Sequence, residues 1–143
     1  MSSAPGAAVQ ANQPRAVVAG HGDFAAGLVS AVEQITGRGA QLIPVSVHAL
    51  RLEDIEHLLR DKMRSAGVRV IFTDLQAGSC TMAARRLLHG MGDAVLVAGA
   101  NLPTLLDFVF SEGRDPVEAA RHAAERGRGA ITVHAPAGSG ATA

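Results

Sequence analysis

The sequence has no tryptophan and no tyrosine, and only four phenylalanines in 143 residues. That leaves few rings on which nucleic-acid bases could stack, and nothing to sandwich a flavin. A single cysteine, Cys80, excludes an internal disulfide and suits a reducing, cytoplasmic setting. Charge is lacking too: 13 basic side chains balance 13 acidic ones. A neutral chain has no bulk electrostatic attraction to nucleic acid or to an anionic membrane. No apolar segment is long enough to cross a bilayer, so any membrane role falls to a partner. The stretch Met1 to Gln13 has neither a basic start nor an apolar run and does not read as a signal peptide.

What is present is a chain with 48% hydrophobic residues, enough for one domain with a packed core. Residues 1–13 and 135–143 are rich in Ala, Ser, Gly and Pro and read as a disordered leader and tail around a domain over 14–134. Inside it strand and helix patterns alternate. Arg15–Ala19 is a buried-type strand, followed by a helix over Phe24–Thr36 with Asp23 and Gly37 at its cap positions. Gln41–Val47 is a second strand, marked as an edge by Pro44. Leu52–Met63 is a helix ended by Gly67, Val68–Thr73 a very apolar strand, Gly78–His89 a helix and Ala94–Ala98 a strand. Helices over Leu102–Phe110 and Pro116–Glu125 precede a short fifth strand, Ala130–Val133. This alternation predicts an α/β fold with a mostly parallel, flavodoxin-like open sheet of order 2-1-3-4.

In such a sheet ligands bind beyond the carboxyl ends of the strands, where the strand order reverses. Here that point lies between strands one and three. It brings together the loops Gly20-His21-Gly22-Asp23 and Thr73-Asp74-Leu75-Gln76-Ala77-Gly78-Ser79. A histidine between glycines can present one open ring face to a large visitor. Neighbouring strands lie about 4.8 Å apart, so Asp74 can take the His21 Nδ1–H and leave Nε2 as the nucleophile. The helix starting near Gly78, with the Ser79 hydroxyl, can hold phosphoryl oxygens. Singly, each feature has an ordinary explanation: an aspartate after a strand is often an N-cap, and Gly-Ser is often a turn. At one crevice they form a phosphoryl-transfer site. His48, His57, His89, His122 and His134 have no such company, and Cys80 reads as a small buried apolar residue.

Three stretches resemble the IIA component of the mannose/fructose/sorbose class of the bacterial sugar phosphotransferase system, nearest its N-acetylgalactosamine-type members. They are Val18-Ala-Gly-His-Gly-Asp-Phe-Ala-Ala-Gly-Leu28, Val70-Ile-Phe-Thr-Asp-Leu-Gln-Ala-Gly-Ser79 with Ala83-Ala-Arg85, and Val97-Ala-Gly-Ala-Asn-Leu-Pro103. The resemblance spans roughly Arg15 to Val133. It implies that His21 is phosphorylated and that Asp74 hydrogen-bonds its ring. It implies HPr as phosphate donor, a IIB component as acceptor, and contact with the membrane only through IIC and IID partners. It implies no metal or organic cofactor, and a homodimer that exchanges the last strand. Gly22, Gly78 and Ser79 fall where the phosphate would be held. The sequence departs from the family's double glycine, Ser/Thr, Pro and later Asn: it reads Ala77-Gly78-Ser79-Cys80-Thr81-Met82. The Ala77 replacement would stiffen the turn or narrow the anion cradle.

Other readings compete. One is a regulatory module of the same fold, phosphorylated as a signal. A receiver domain phosphorylated on Asp74 lacks its acidic pair and its lysine, since the only lysine is Lys62. A hydrolase using Cys80 or Ser79 with His21 as base has no visible oxyanion donors beyond the helix start.

Overall fold

A computed structural model describes residues 12–137. Most of the expected leader and the end of the expected tail lie outside the described residues. The elements run β1 (Ala16–His21), α1 (Phe24–Thr36), β2 (Leu42–Val47), α2 (Leu52–Ala66), β3 (Val70–Thr73), α3 (Ser79–Leu88), β4 (Val95–Ala98), α4 (Leu102–Val109) and α5 (Pro116–Gly129). A single 3-10 turn, Gly39–Gln41, leads into β2.

The four strands form one parallel sheet of order β2-β1-β3-β4, with Ala19 opposite Val45 on one side and Thr73 on the other. Side chains alternate across it. Ala16, Val18, Val70 and Phe72 face a core completed by Val32 of α1, Leu105 and Phe108 of α4, and Ala119, Ala120 and Ala123 of α5. Val17, Ala19, Val45 and Ile71 face the other core, built on Ile55, Leu59 and Met63 of α2 and Ala83, Ala84 and Leu87 of α3. Both central strands are therefore apolar up to their last residues, His21 and Thr73, as a sheet covered on two faces requires. Pro44 sits on the β2 edge, where a missing N–H breaks no ladder.

Helix ends follow their chemistry. Gly37 and Gly67 terminate α1 and α2 in the left-handed region, with φ of 73° and 69°. Asn101 and Thr104 form a reciprocal capping box on α4, and the Asp115 carboxylate accepts from the Val117 and Glu118 N–H groups on α5. Asp23 occupies the N-cap position of α1, yet its side chain caps nothing, because its backbone (φ −92°, ψ 15°) is not extended.

Two expectations change. α5 continues past Glu125 to Gly129. Gly127 does not stop it; it lets the helix close on α4. A Cβ there would lie 1.9 Å from Thr104 Oγ1, and Asn101 Nδ2 donates to the Gly127 carbonyl at 2.9 Å. The expected fifth strand over Ala130–Val133 is not formed within the chain. Residues 131–136 join no ladder among the described residues, and Ile131 and Val133 are 75% and 90% exposed. A strand needs a partner edge, and α5 delivers this segment to none.

Candidate functional site

The site is fixed by the pairing of β1 with β3. Ala19 lies opposite Thr73, so the chain leaves these neighbouring strands as Gly20-His21 and as Asp74. Asp74 Oδ2 accepts two hydrogen bonds from His21: from the backbone N–H at 2.9 Å and from ring Nδ1 at 2.7 Å. That bond assigns the proton to Nδ1 and leaves the Nε2 lone pair free. The two side chains differ in exposure, 57% for His21 against 7% for Asp74. The imidazole is thus open to a macromolecular visitor while its anchor is buried.

Burial alone would push the Asp74 carboxyl up. The bonds from the His21 backbone and ring, together with the ring's charge, outweigh it and hold the carboxyl below its ordinary 3.8. Its second oxygen, Oδ1, is buried without a hydrogen-bond partner.

Glycine is required at Gly20 for a different reason than the open turn expected from the sequence. A Cβ there would lie 2.6 Å from Phe24 Cδ2 and 3.0 Å from Asp74 Oδ2. Gly20 makes room for the carboxylate. Gly22 supplies the turn, with φ +52°. Its carbonyl accepts from Ser46 Oγ at 3.0 Å, which ties the histidine loop to the end of β2.

The second loop ends at Gly78, the N-cap of α3, whose side-chain position is 3.3 Å from His21 Cε1. The helix therefore starts against the imidazole edge between its two nitrogens. As the first three helical residues, Ser79, Cys80 and Thr81 have N–H groups with no partner inside the helix. Ser79 is half-buried and its hydroxyl has no hydrogen-bond partner among the described residues. Together these form a donor-rich, positively polarised helix end beside a nucleophilic nitrogen.

Thr81, which the sequence reading passed over, holds this loop. Its hydroxyl donates to the Leu75 carbonyl and meets the buried Thr73 hydroxyl at 2.6 Å. The spacing of two threonines across a strand-to-helix turn was the available signal. Ala77 is exposed and is not in the left-handed region, so the loop accepts it without backbone strain. Cys80 is fully buried, and desolvation first, then the Asp74 charge, push its thiol up to about 11. It is no nucleophile at neutral pH. Of the remaining histidines, His48 and His122 do have partners: Ser46 Oγ at 2.9 Å and Asp107 Oδ2 at 2.7 Å. Among the described residues, no group of three or more His, Cys, Asp or Glu could hold a metal, and no helix is long and apolar enough to cross a membrane.

Comparison with known proteins joins this geometry to a family. A family model described as PTS system fructose IIA component matches residues 15–125. Among solved structures, the chain is similar to the mannose/sorbose specific IIA subunit of the phosphotransferase system from Enterococcus faecalis. The two are 24% identical, with a TM-score of 0.78 over 86% of this chain and 96% of that one. It is also similar to the PTS IIA protein associated with the fucose utilization operon from Streptococcus pneumoniae, at 21% identity and a TM-score of 0.67 over 84% and 93% of the two chains. The phosphotransferase system component EIIA from Streptococcus agalactiae gives 19% identity and a TM-score of 0.66 over 84% and 97%. No curated protein sequence matches.

Proposed function

We propose that this chain, which belongs to the fructose IIA component family of the phosphotransferase system, is a cytoplasmic phosphoryl carrier. It takes phosphate from the phosphohistidine of HPr onto His21 and passes it to a IIB component. The observation that carries this reading is the double acceptance by Asp74 Oδ2 of the His21 N–H and Nδ1–H, at 2.9 and 2.7 Å.

In the forward step His21 Nε2 attacks phosphorus. A P–N bond forms to Nε2 as the P–N bond to the donor imidazole breaks, and the donor ring leaves with its electron pair. His21 keeps its Nδ1 proton, so the ring becomes cationic as it is phosphorylated. The buried Asp74 carboxylate stabilises that charge without needing to move. The free N–H groups of Ser79, Cys80 and Thr81, the Ser79 hydroxyl and the open turn at Gly22 and Gly78 receive the phosphoryl oxygens. Both sides of the transfer are energetically comparable, so it runs in either direction and the second step repeats the first with IIB as acceptor. No residue here has to recognise a sugar.

The chain works as a homodimer in this reading, with the Ala130–Val133 segment exchanged between subunits. A second reading, a regulatory module that stores the phosphate as a signal, rests on the departure at Met82. Met82 is 52% exposed on the first turns of α3, where a partner could meet it. Radiolabelled phospho-HPr followed by IIB proteins separates the two readings. Label that enters His21 and leaves to IIB supports the carrier, label that enters and stays supports the regulator, and label absent from the protein contradicts both.

A further inference from the structure

Opposite His21, at the amino ends of β1 and β3, a pocket is lined by Arg15, Arg69, Phe108 and Arg114 among others. Its charged lining consists of three arginines and no acid. Its volume is about 160 Å³, well under the ~300 Å³ at which sites for drug-sized ligands begin.

Arg15 is built in. Its Nη1 donates to Gln41 Oε1 at 2.9 Å and to the Phe108 carbonyl at 2.7 Å, and its guanidinium lies 4.2 Å from the Phe108 ring centroid. Those bonds use one nitrogen and leave Nη2 and Nε with donors to spare. Arg69 lines the pocket and also pairs with Asp93 at 3.2 Å and Asp115 at 3.9 Å, surface pairs of little strength that an anion could replace. Arg114 is exposed; its backbone N–H donates to the Ser111 carbonyl at 3.2 Å, and its guanidinium has no ion-pair or hydrogen-bond partner among the described residues. The acid that acts on Arg15, Glu112, already pairs with Arg38. Burial disfavours the Arg15 cation, and Arg38 adds to that effect against Glu112. A bound anion would relieve both.

We propose that Arg15, Arg69 and Arg114 form a binding pocket for a small phosphate dianion, free or as a compact phosphomonoester. Three planar guanidiniums match a tetrahedral dianion better than a single carboxylate. The pocket is too small for a nucleotide's base and sugar. It lies at the end of the sheet away from the histidine, and the inference does not depend on His21 being phosphorylated.

The test is a titration of the isotopically labelled full chain with inorganic phosphate and, separately, with glycerol phosphate at constant ionic strength, followed by amide chemical shifts. The expected result is saturable movement of the amides of Gly67–Arg69 and Arg114–Val117 that chloride does not reproduce. Arg114→Gln should weaken that binding about tenfold or more, the effect of one lost charge-assisted bond. Tighter binding of the ester assigns the pocket to a phosphorylated metabolite; tighter binding of inorganic phosphate assigns it to the free ion. Shifts confined to Gly78–Thr81, no saturable shifts, or an unchanged response in Arg114→Gln would each overturn the proposal. The Arg114 side chain has no partner among the described residues and Arg114→Gln leaves its backbone bond to Ser111 in place, so the variant stays folded.

Discussion

Replacing Asp74 with asparagine removes one charge and almost no volume, and its effect can be worked from two distances. Oδ2 receives the His21 N–H at 2.9 Å and Nδ1–H at 2.7 Å. In the resting chain the amide oxygen of asparagine can still accept these bonds, so the loop keeps its shape. The difference falls on the phosphorylated ring, whose positive charge then faces a neutral acceptor. Bonds to charged groups contribute ~1.5–3 kcal/mol and neutral ones ~0.5–1.5 kcal/mol, so about 1–2 kcal/mol of stabilisation is lost as the ring charges. That corresponds to roughly 5- to 30-fold slower transfer. Single-turnover rapid-quench measurements with phospho-HPr read the rate, and circular dichroism checks the fold. A rate within twofold of the parent would refute this reasoning and leave Asp74 a purely structural anchor.

Further outcomes follow from neighbouring residues. The Asp74 carboxyl lies below its ordinary 3.8 when folded. Its stabilising contribution is therefore complete above that value and is lost as pH falls through the lower folded value; Asp74→Asn should flatten this part of the acid-unfolding curve, and identical acid limbs would contradict it. Gly20→Ala pushes a methyl to 2.6 Å from Phe24 Cδ2 and 3.0 Å from Asp74 Oδ2. It should cost about 1–3 kcal/mol in urea unfolding and slow phosphorylation as well, while parental behaviour in both would show that the approach is not tight. Thr81→Val removes the hydroxyl that joins Thr73 to the Leu75 carbonyl, and should lower stability by about 1–3 kcal/mol; an unchanged thermal midpoint would dismiss its anchoring role. With its thiol at about 11 against an ordinary 9.0, Cys80 holds about a hundredfold less thiolate near neutrality and is buried besides. It should react slowly with a thiol reagent in the folded chain, and rapid labelling would contradict its burial.

Much of this arrangement was legible because it rests on short-range pattern. Apolar runs at β1 and β3 announced strands buried on both faces, Pro44 announced an edge, and Gly37 and Gly67 announced helix ends. The alternation of strand and helix then constrains topology, and topology alone brings His21 to Asp74 across 53 positions. Packing between distant elements was not legible. The helix expected to end at Glu125 runs on to Gly129, and within it Gly127 serves the contact with Asn101 and Thr104. The Thr73–Thr81 bond and the Ser46 tie to Gly22 are side-chain meetings that no periodicity records. The Ala130–Val133 run has strand composition, and among the described residues no edge receives it.

The central claim concerns a single nitrogen atom, and nuclear magnetic resonance of the His21 ring can observe it directly. After incubation with phospho-HPr, phosphorus coupling should appear at Nε2 while Nδ1 keeps its proton, in an adduct that is labile to acid and stable to base. Phosphorus on Nδ1, or a base-labile adduct on Asp74, would contradict the account.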